Sequence, residues 1–197
     1  EAAVKTAMWY KGPRPDGYVL SIKNSFHGIN SVGNIITSRF PGVKLRQGDI
    51  PGEYNWPVAN TIKDAISHVQ SNPYNLQGVI IEPIQATYGD NYLNKKELQS
   101  LSKICKQFDI PLIFDEVQCG FLRSGKMFAH QWAEIEPDIM TTAKAIANGF
   151  PLGATMTSKK VGDVMHHGTH GSTYGGNPLA VAVGNAVLDI MQKEIFL

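Results

Sequence analysis

The chain has 197 residues, with 18 Lys and Arg against 17 Asp and Glu, and 43% of its residues are hydrophobic. This composition excludes intrinsic disorder, and the formal net charge of +1 gives no electrostatic footprint for nucleic acid or an anionic membrane. No stretch approaches the ~20 apolar residues that a membrane-spanning helix needs. We therefore expect a soluble globular protein with neither a nucleic-acid nor a membrane partner.

The hydrophobic pattern alternates between helical spacing and short β-branched runs along the chain. In chain order it predicts a helix over 2–10, a strand over 18–23, a helix over 57–72, a strand over 78–84, a helix that begins after Asn94, strands over 111–115, 138–142 and 152–157, a short helix after Ser158 and a last helix that begins after Asn177. This order predicts an α/β fold with a mostly parallel sheet and helices on both faces.

The two cysteines, Cys105 and Cys119, have neither the spacing of a disulfide framework nor that of a metal site. We predict that the protein binds no metal. We also expect it to work in a reducing compartment, either the cytoplasm or an organelle matrix.

Two polar residues end neighbouring apolar runs. Asp115 ends the run PLIFD, and Lys144 follows the run DIMTT after one alanine. Ligands of parallel sheets bind at the carboxyl ends of the strands. A carboxylate and an amine at that edge suit a pyridoxal 5'-phosphate (PLP) enzyme, in which a lysine holds the cofactor and a carboxylate keeps its ring nitrogen protonated. A buried Asp–Lys ion pair, or an Asp in the turn after a strand, explains the same residues as well.

Four segments closely resemble the cofactor-binding core of class III aminotransferases of the acetylornithine, ornithine and 4-aminobutyrate type. In family order they are NSFHG at 24–28, IIEPIQ at 80–85, IFDEVQCGFLRSGKMFAHQWAEIEPDIMTTAKAIANGFPLGA at 113–154 and GTHGSTYGGNPLAVAV at 168–183. The resemblance implies that residues 1–197 form the large PLP-binding domain of a fold-type I enzyme. It also implies a transaminase that moves an amino group from an acetylornithine-, ornithine- or ω-amino acid-like donor to a 2-oxo acid.

The same resemblance assigns roles to the site residues. Lys144 corresponds to the lysine that holds PLP as a Schiff base, and Asp115 to the carboxylate that faces the pyridine nitrogen, so both are predicted to be catalytic. Phe26 and Val117 correspond to residues that pack on the two faces of the ring. Gln118 corresponds to the residue that hydrogen-bonds the ring hydroxyl oxygen.

Ser172 and Thr173 resemble the pair that reaches the cofactor phosphate of the neighbouring subunit. The resemblance therefore implies a homodimer with the active site at the subunit interface. Glu82 resembles a family carboxylate near the site, for which a substrate contact and a structural hydrogen bond both remain open. We expect a structural role for His27 and a packing role for Cys119.

Two positions depart from the family pattern. Ile29 follows SFHG where relatives of the acetylornithine and ornithine type usually carry an arginine that binds a substrate carboxylate. Thr87 replaces a glutamate that pairs with a distant arginine in those relatives. Both departures fall on substrate recognition, so the cofactor and the reaction type stand while the identity of the substrate is in doubt.

The family's phosphate-binding loop and its small C-terminal domain are expected outside these 197 residues. We therefore expect the isolated chain to bind PLP poorly and to be inactive. Two other interpretations stay open: an aminomutase or another PLP enzyme on the same scaffold, and a non-catalytic homologue. Intact Lys144, Asp115 and Gln118 argue against the second.

Overall fold

The computed structural model describes residues 1–38 and 56–193. The strands in this part of the chain are β1 (Tyr18–Ile22), β2 (Val58–Ala59), β3 (Leu76–Ile81), β4 (Ile84–Gln85), β5 (Asn91–Tyr92), β6 (Leu112–Asp115), β7 (Ile139–Thr142) and β8 (Ala154–Thr157). The α-helices are α1 (Ala2–Lys11), α2 (Ser31–Ile36), α3 (Ile62–Ser71), α4 (Lys95–Gln107), α5 (His130–Ala133), α6 (Lys159–Gly162) and α7 (Pro178–Met191). Short 3-10 turns cover Ala86–Tyr88 and Lys144–Ala147.

One sheet runs through the domain in the strand order β2-β1-β3-β6-β7-β8. Neighbouring strands are parallel from β2 to β7, and β8 pairs antiparallel with β7 at the edge. A separate antiparallel pair joins β4 to β5. The predicted α/β fold with a mostly parallel sheet is confirmed.

Each face of the sheet is covered by helices. On one face, α3 and α4 bury a stripe of apolar residues against the sheet, including Ala65, Val69 and Leu101. On the other face, α1 packs Val4 and Ala7 against the central strands. Because both faces of the central strands are buried, those strands consist mainly of apolar residues, as parallel strands in α/β proteins do. No helix in the described ranges is long and apolar enough to cross a membrane.

The helix predicted over 57–72 begins too early. The structure places β2 at Val58–Ala59 and starts α3 at Ile62. Thr61 accepts a hydrogen bond from the Asp64 N–H at 3.1 Å, and the Asp64 carboxylate accepts one from the Thr61 N–H at 3.1 Å. This capping box satisfies two donors that the first turn would otherwise leave unpaired, and it sets the start of the helix.

The strand predicted over 78–84 is displaced toward the N-terminus, because β3 runs from Leu76 to Ile81. Gln77 is buried inside this strand, and its amide donates to the carbonyls of Met8 and Gly12 at the end of α1. At the other end, Pro83 has no N–H to donate to a ladder. The strand therefore ends before Glu82, which leaves that carboxyl at the edge of the sheet.

The side chain of Asn94 caps α4 by accepting hydrogen bonds from the N–H groups of Lys96 at 2.9 Å and Glu97 at 3.3 Å. We expect Asn94→Ala to lower the free energy of unfolding by about 1 kcal/mol, since two donors of the first turn lose their acceptor. Urea unfolding measures this change. Lys103→Ala, on the exposed side of the same helix, is the control and should change the stability by less than about 0.5 kcal/mol. Equal losses in both variants would contradict the cap.

Candidate active site

The carboxyl ends of three neighbouring parallel strands bring the predicted catalytic residues to one edge of the sheet. Glu82 follows β3, Asp115 is the last residue of β6, and Lys144 comes two residues after β7. Asp115 lies directly opposite Thr141 in the ladder between β6 and β7. The ends of adjacent parallel strands form the usual ligand site of such sheets.

Both carboxylate oxygens of Asp115 have partners. Oδ1 accepts the backbone N–H of Val117 at 3.1 Å, and Oδ2 lies 2.8 Å from Nδ1 of His27. The Asp115 side chain is 10% exposed. Its carboxylate is therefore held in a fixed orientation, yet it remains open to an approaching group at the sheet edge.

Glu82 is the second carboxyl at this edge and is only 3% exposed. Its Oε1 accepts the backbone N–H of Phe26 at 2.7 Å. Burial raises the pKa of Glu82 to about 7, because the ionised form loses its hydration, and the nearby Asp115 adds to the rise. The Phe26 N–H, His27 and Lys144 oppose the rise. Glu82 therefore exchanges its proton near neutral pH, directly beside the predicted catalytic pair.

Lys144 opens the 3-10 turn Lys144–Ala147 and adopts a left-handed backbone with φ 50°. A non-glycine residue in this region costs roughly 1–3 kcal/mol and is retained where the surrounding structure requires it. The Lys144 amine donates to the side-chain carbonyl of Gln118. The structure thus joins two predicted site residues that lie 26 positions apart.

Lys144 also lines a cavity of about 420 Å³ next to this contact. The other lining residues are Arg123, Ala145, Asn148, Gly149, Phe150, Pro151 and Leu152. The amine therefore has space on one side for a small molecule.

Phe26 and Val117, which are predicted to flank the cofactor ring, are tied to the site through their backbones. The Phe26 N–H bonds Glu82, and the Val117 N–H bonds Asp115. The SFHG turn is therefore bonded to Glu82, and the loop after β6 is bonded to Asp115. These N–H groups offset part of the free-energy cost of burying the two carboxyls.

Further hydrogen bonds to the SFHG turn and its flanks come from residues for which the sequence predicts no role. The Gln85 amide donates to the Lys23 carbonyl at 2.8 Å and to the Ser25 hydroxyl at 3.1 Å. Thr37 accepts the backbone N–H of His27 and donates to the Gly28 carbonyl, each at 2.8 Å. A Cβ at Gly33 would lie 2.8 Å from the His27 carbonyl oxygen, so α2 approaches the turn as closely as glycine allows.

Glu116 is a further organising residue that the sequence interpretation missed. It is fully buried, and it accepts the backbone N–H groups of Ala129 at 2.9 Å and His130 at 2.7 Å. It also contacts the His130 imidazole and accepts the Cys119 thiol. One carboxylate therefore ties the segment that follows Gln118 back to the strand end. The only signal in the sequence is an acidic residue beside Asp115 in an apolar run.

The packing role expected for Cys119 agrees with its surroundings. Its thiol is buried and donates to Glu116, and burial beside this carboxylate raises the pKa of the thiol far above its ordinary value. A protonated, buried thiol is a poor nucleophile.

Ser172 and Thr173 lie in an exposed loop before α7. Among the described residues, no hydrogen bond links them to Asp115, Gln118 or Lys144. Their assignment to the site of a neighbouring subunit stays a prediction.

The two positions that depart from the family pattern differ in their surroundings. Ile29 is 63% exposed at the end of the SFHG turn. Thr87 lies in the 3-10 turn Ala86–Tyr88, where its hydroxyl is buried and has no partner among the described residues.

The model of the family "Aminotransferase class-III" matches residues 1–197. The chain belongs to the class III aminotransferase family. Acetylornithine aminotransferase of Eremothecium gossypii, a mitochondrial protein, is 41% identical over 188 residues, which is 94% of this chain and 44% of that protein. Succinylornithine transaminase of Salmonella newport is 38% identical over 194 residues, 97% of this chain and 47% of that protein. The chain spans about half the length of the curated relatives it matches.

Solved structures of class III aminotransferases share the fold. An ornithine aminotransferase from Toxoplasma gondii matches with a TM-score of 0.87 and 29% identity over 96% of this chain and 46% of that chain. Acetylornithine aminotransferase from Elizabethkingia anophelis matches with a TM-score of 0.75 and 30% identity over 97% of this chain and 45% of that chain.

PLP is the cofactor of class III aminotransferases, and the Toxoplasma gondii structure is described with PLP partly occupying its active site. The side chains at the sheet edge of this chain fit that cofactor. They offer a primary amine beside a cavity, an amide in contact with that amine, and an oriented carboxylate that is partly exposed. That Lys144, Gln118 and Asp115 hold it stays a prediction.

The raised pKa of Glu82 can be observed directly. In a 13C NMR titration of Glu-labelled protein, we expect one carboxyl to titrate at about pH 7 and its signal to vanish in Glu82→Gln. Glu136→Gln, which changes an exposed glutamate, should keep the signal. A Glu82 signal that titrates near 4.5, the ordinary value, would contradict the effect of burial.

The same shift determines how stability depends on pH. Unfolded Glu82 loses its proton near 4.5 and folded Glu82 near 7, so the folded state binds more protons between these values. The contribution of Glu82 to the free energy of unfolding therefore falls as the pH rises through this window. Relative to wild type, Glu82→Gln should gain stability between about pH 5 and about pH 8.

Proposed function

We propose that the protein is a PLP-dependent transaminase that moves an amino group from an amine or amino acid to a 2-oxo acid. Residues 1–197 would form its large cofactor-binding domain. The observation that carries the proposal is the contact between the Lys144 amine and the Gln118 carbonyl, at the same sheet edge as the oriented carboxylate of Asp115. A structural ion pair would bring Lys144 to Asp115, whereas here the amine contacts Gln118 and lines a cavity.

Each residue has a distinct role in this proposal. When bound, PLP carries the amino group between the two substrates and withdraws electrons from the carbon that loses a proton. Lys144 Nζ holds the cofactor and, once a substrate has replaced it, accepts the proton from the carbon that bears the amino group. Asp115 would bind the ring nitrogen, and Gln118 would bind the ring hydroxyl. Phe26 and Val117 would pack on the two sides of the ring.

The donor is of the acetylornithine, ornithine or ω-amino acid class in this proposal, in line with the names of the relatives. Ile29 has no charge with which to bind a carboxylate at the end of the SFHG turn. A substrate carboxylate must then be bound by a cation elsewhere, or the part of the donor near Ile29 is apolar. Glu82 lies near Asp115, Lys144 and the SFHG turn. Its protonated form, which the raised pKa keeps populated near neutral pH, can donate a hydrogen bond to a substrate.

We also propose a homodimer in which Ser172 and Thr173 reach the cofactor phosphate of the partner. The exposure of their loop supports this assembly, as do the exposed Tyr174 and Leu179 that follow it. Relatives from Eremothecium gossypii and Saccharomyces cerevisiae carry mitochondrial names. We propose a cytoplasmic or organelle-matrix location for this protein as well.

Borohydride reduction of the full-length protein incubated with PLP tests the cofactor assignment. Peptide mass spectrometry should find a pyridoxyl adduct on Lys144. Lys103, which is exposed on α4, is the internal control and should remain largely unmodified. An unmodified Lys144 would contradict the cofactor assignment.

If the adduct forms, a second experiment tests the reaction. Incubation of amine donors with 2-oxoglutarate or pyruvate should yield the corresponding amino acid. Isomerised donor without transfer of the amino group would indicate an aminomutase instead.

Asp115→Asn should reduce kcat by ~100-fold or more while the dissociation constant for PLP rises by no more than about tenfold. The amide removes the charge opposite the ring nitrogen, but Lys144 and Gln118 still hold the cofactor. Steady-state kinetics and equilibrium dialysis measure the two effects. Asp163→Asn, on the exposed α6–α7 connection, is the matched control. Loss of PLP binding with an unchanged kcat in the loaded fraction would contradict the role of Asp115.

A further inference from the structure

The imidazole of His27 lies directly against the carboxylate of Asp115. Nδ1 is 2.8 Å from Oδ2, and the His27 side chain is 1% exposed. The residues are 88 positions apart, so the contact joins the SFHG turn to the end of β6. A hydrogen bond from a buried imidazole restricts the orientation of the carboxylate that accepts it.

The hydrogen-bond partners determine the protonation state of His27. Oδ2 of Asp115 accepts a hydrogen bond, so Nδ1 carries a proton. Nε2 is buried and has no hydrogen-bond partner among the described residues. A charged imidazole would bury an unpaired N–H at Nε2, which is costly, whereas the neutral Nδ1–H form leaves only a lone pair there. The contacts therefore favour the neutral imidazole with its proton on Nδ1.

The backbone of His27 is fixed as firmly as its ring. Its N–H donates to Thr37 at 2.8 Å. Its carbonyl is in close contact with Gly33, where a Cβ would lie 2.8 Å away. The preceding residue, Phe26, is bonded to Glu82. Together with the burial of the ring, these contacts leave the imidazole little room to move if the Asp115 carboxylate rotates.

We propose that His27 is a positioning residue that orients Asp115 through a neutral Nδ1–H imidazole. In this role, the carboxylate is already aimed at the position of the ring nitrogen before PLP binds, so the protein does not have to order it during binding. The inference rests on the proposed function, because it takes Asp115 to be the partner of that nitrogen. A histidine that only filled space would need neither the proton on Nδ1 nor the contact with Oδ2.

The tautomer is tested without the cofactor. In 15N-histidine-labelled full-length protein, long-range 1H–15N correlation spectra should show His27 neutral, with Nδ1 protonated and Nε2 bare at neutral pH. Asp115→Asn should change the His27 nitrogen shifts more than those of any other histidine. A charged His27, or one protonated on Nε2, would overturn the proposal.

Two substitutions at His27 separate positioning from packing. Asn places an N–H donor where Nδ1 lies, because both nitrogens are bonded to Cγ, whereas Leu fills space with no donor. His27→Leu should raise the dissociation constant for PLP about fivefold and lower kcat by a larger factor, and His27→Asn should recover most of both losses. His68→Leu is the matched control. It removes a half-buried histidine that contacts the Tyr18 hydroxyl at 2.7 Å away from the site, and PLP affinity should not change. Equal effects of Leu and Asn at His27 would show that only packing matters.

A double-mutant cycle tests whether His27 acts through Asp115. In an Asp115→Ala background, His27→Leu should change neither PLP affinity nor kcat further, because the carboxylate that it orients is gone. Additive losses would overturn the proposal. The Lys144 adduct in wild type distinguishes failure of the proposed function from failure of this inference. An absent adduct would contradict the proposed function. A normal adduct, with PLP affinity and kcat unchanged in His27→Leu, would contradict only this inference.

Discussion

Three buried carboxyls at the carboxyl ends of the central strands determine how the site is built. Glu82, Asp115 and Glu116 are each less than one tenth exposed, and a buried carboxyl must be hydrogen-bonded or give up its charge. The donors come from the surrounding loops rather than from the sheet. The SFHG turn, the DEVQ segment and the start of α5 are therefore each fixed by at least one carboxyl. The loops that carry the predicted site residues are thereby tied to the ends of the strands.

The parts of the fold and site that sequence could predict are those with a local or periodic signal. The strand that ends in Asp115 and the strand before Lys144 are apolar runs with a polar end, and their shared edge follows from parallel topology. The α4 helix is marked by its cap and its apolar stripe. The start of α3 was misjudged because the apolar spacing extends upstream of the Thr61 capping box into β2, and spacing alone does not mark where a helix begins.

The contacts that sequence could not supply join distant segments. Gln85 to Ser25, His27 to Asp115 and Glu116 to His130 depend on which loops the sheet brings together. A lone histidine or glutamate has many possible roles, and its partner determines which one applies. The assignment of Lys144 and Gln118 came from family resemblance, and the contact between their side chains is what the structure adds to it.

The protonation state of the two cysteines determines whether their thiols can react with a carbonyl group. Aldehydes such as the PLP carbonyl react with thiolates as well as with amines, and Cys119 follows directly after Gln118 in the chain. Burial raises the pKa of Cys105 to about 12, and burial together with the Glu116 carboxylate raises the pKa of Cys119 as well. Neither sulfur can compete for a carbonyl at neutral pH. The Glu116 carboxylate that holds the loop therefore also helps to keep the Cys119 thiol protonated and unreactive.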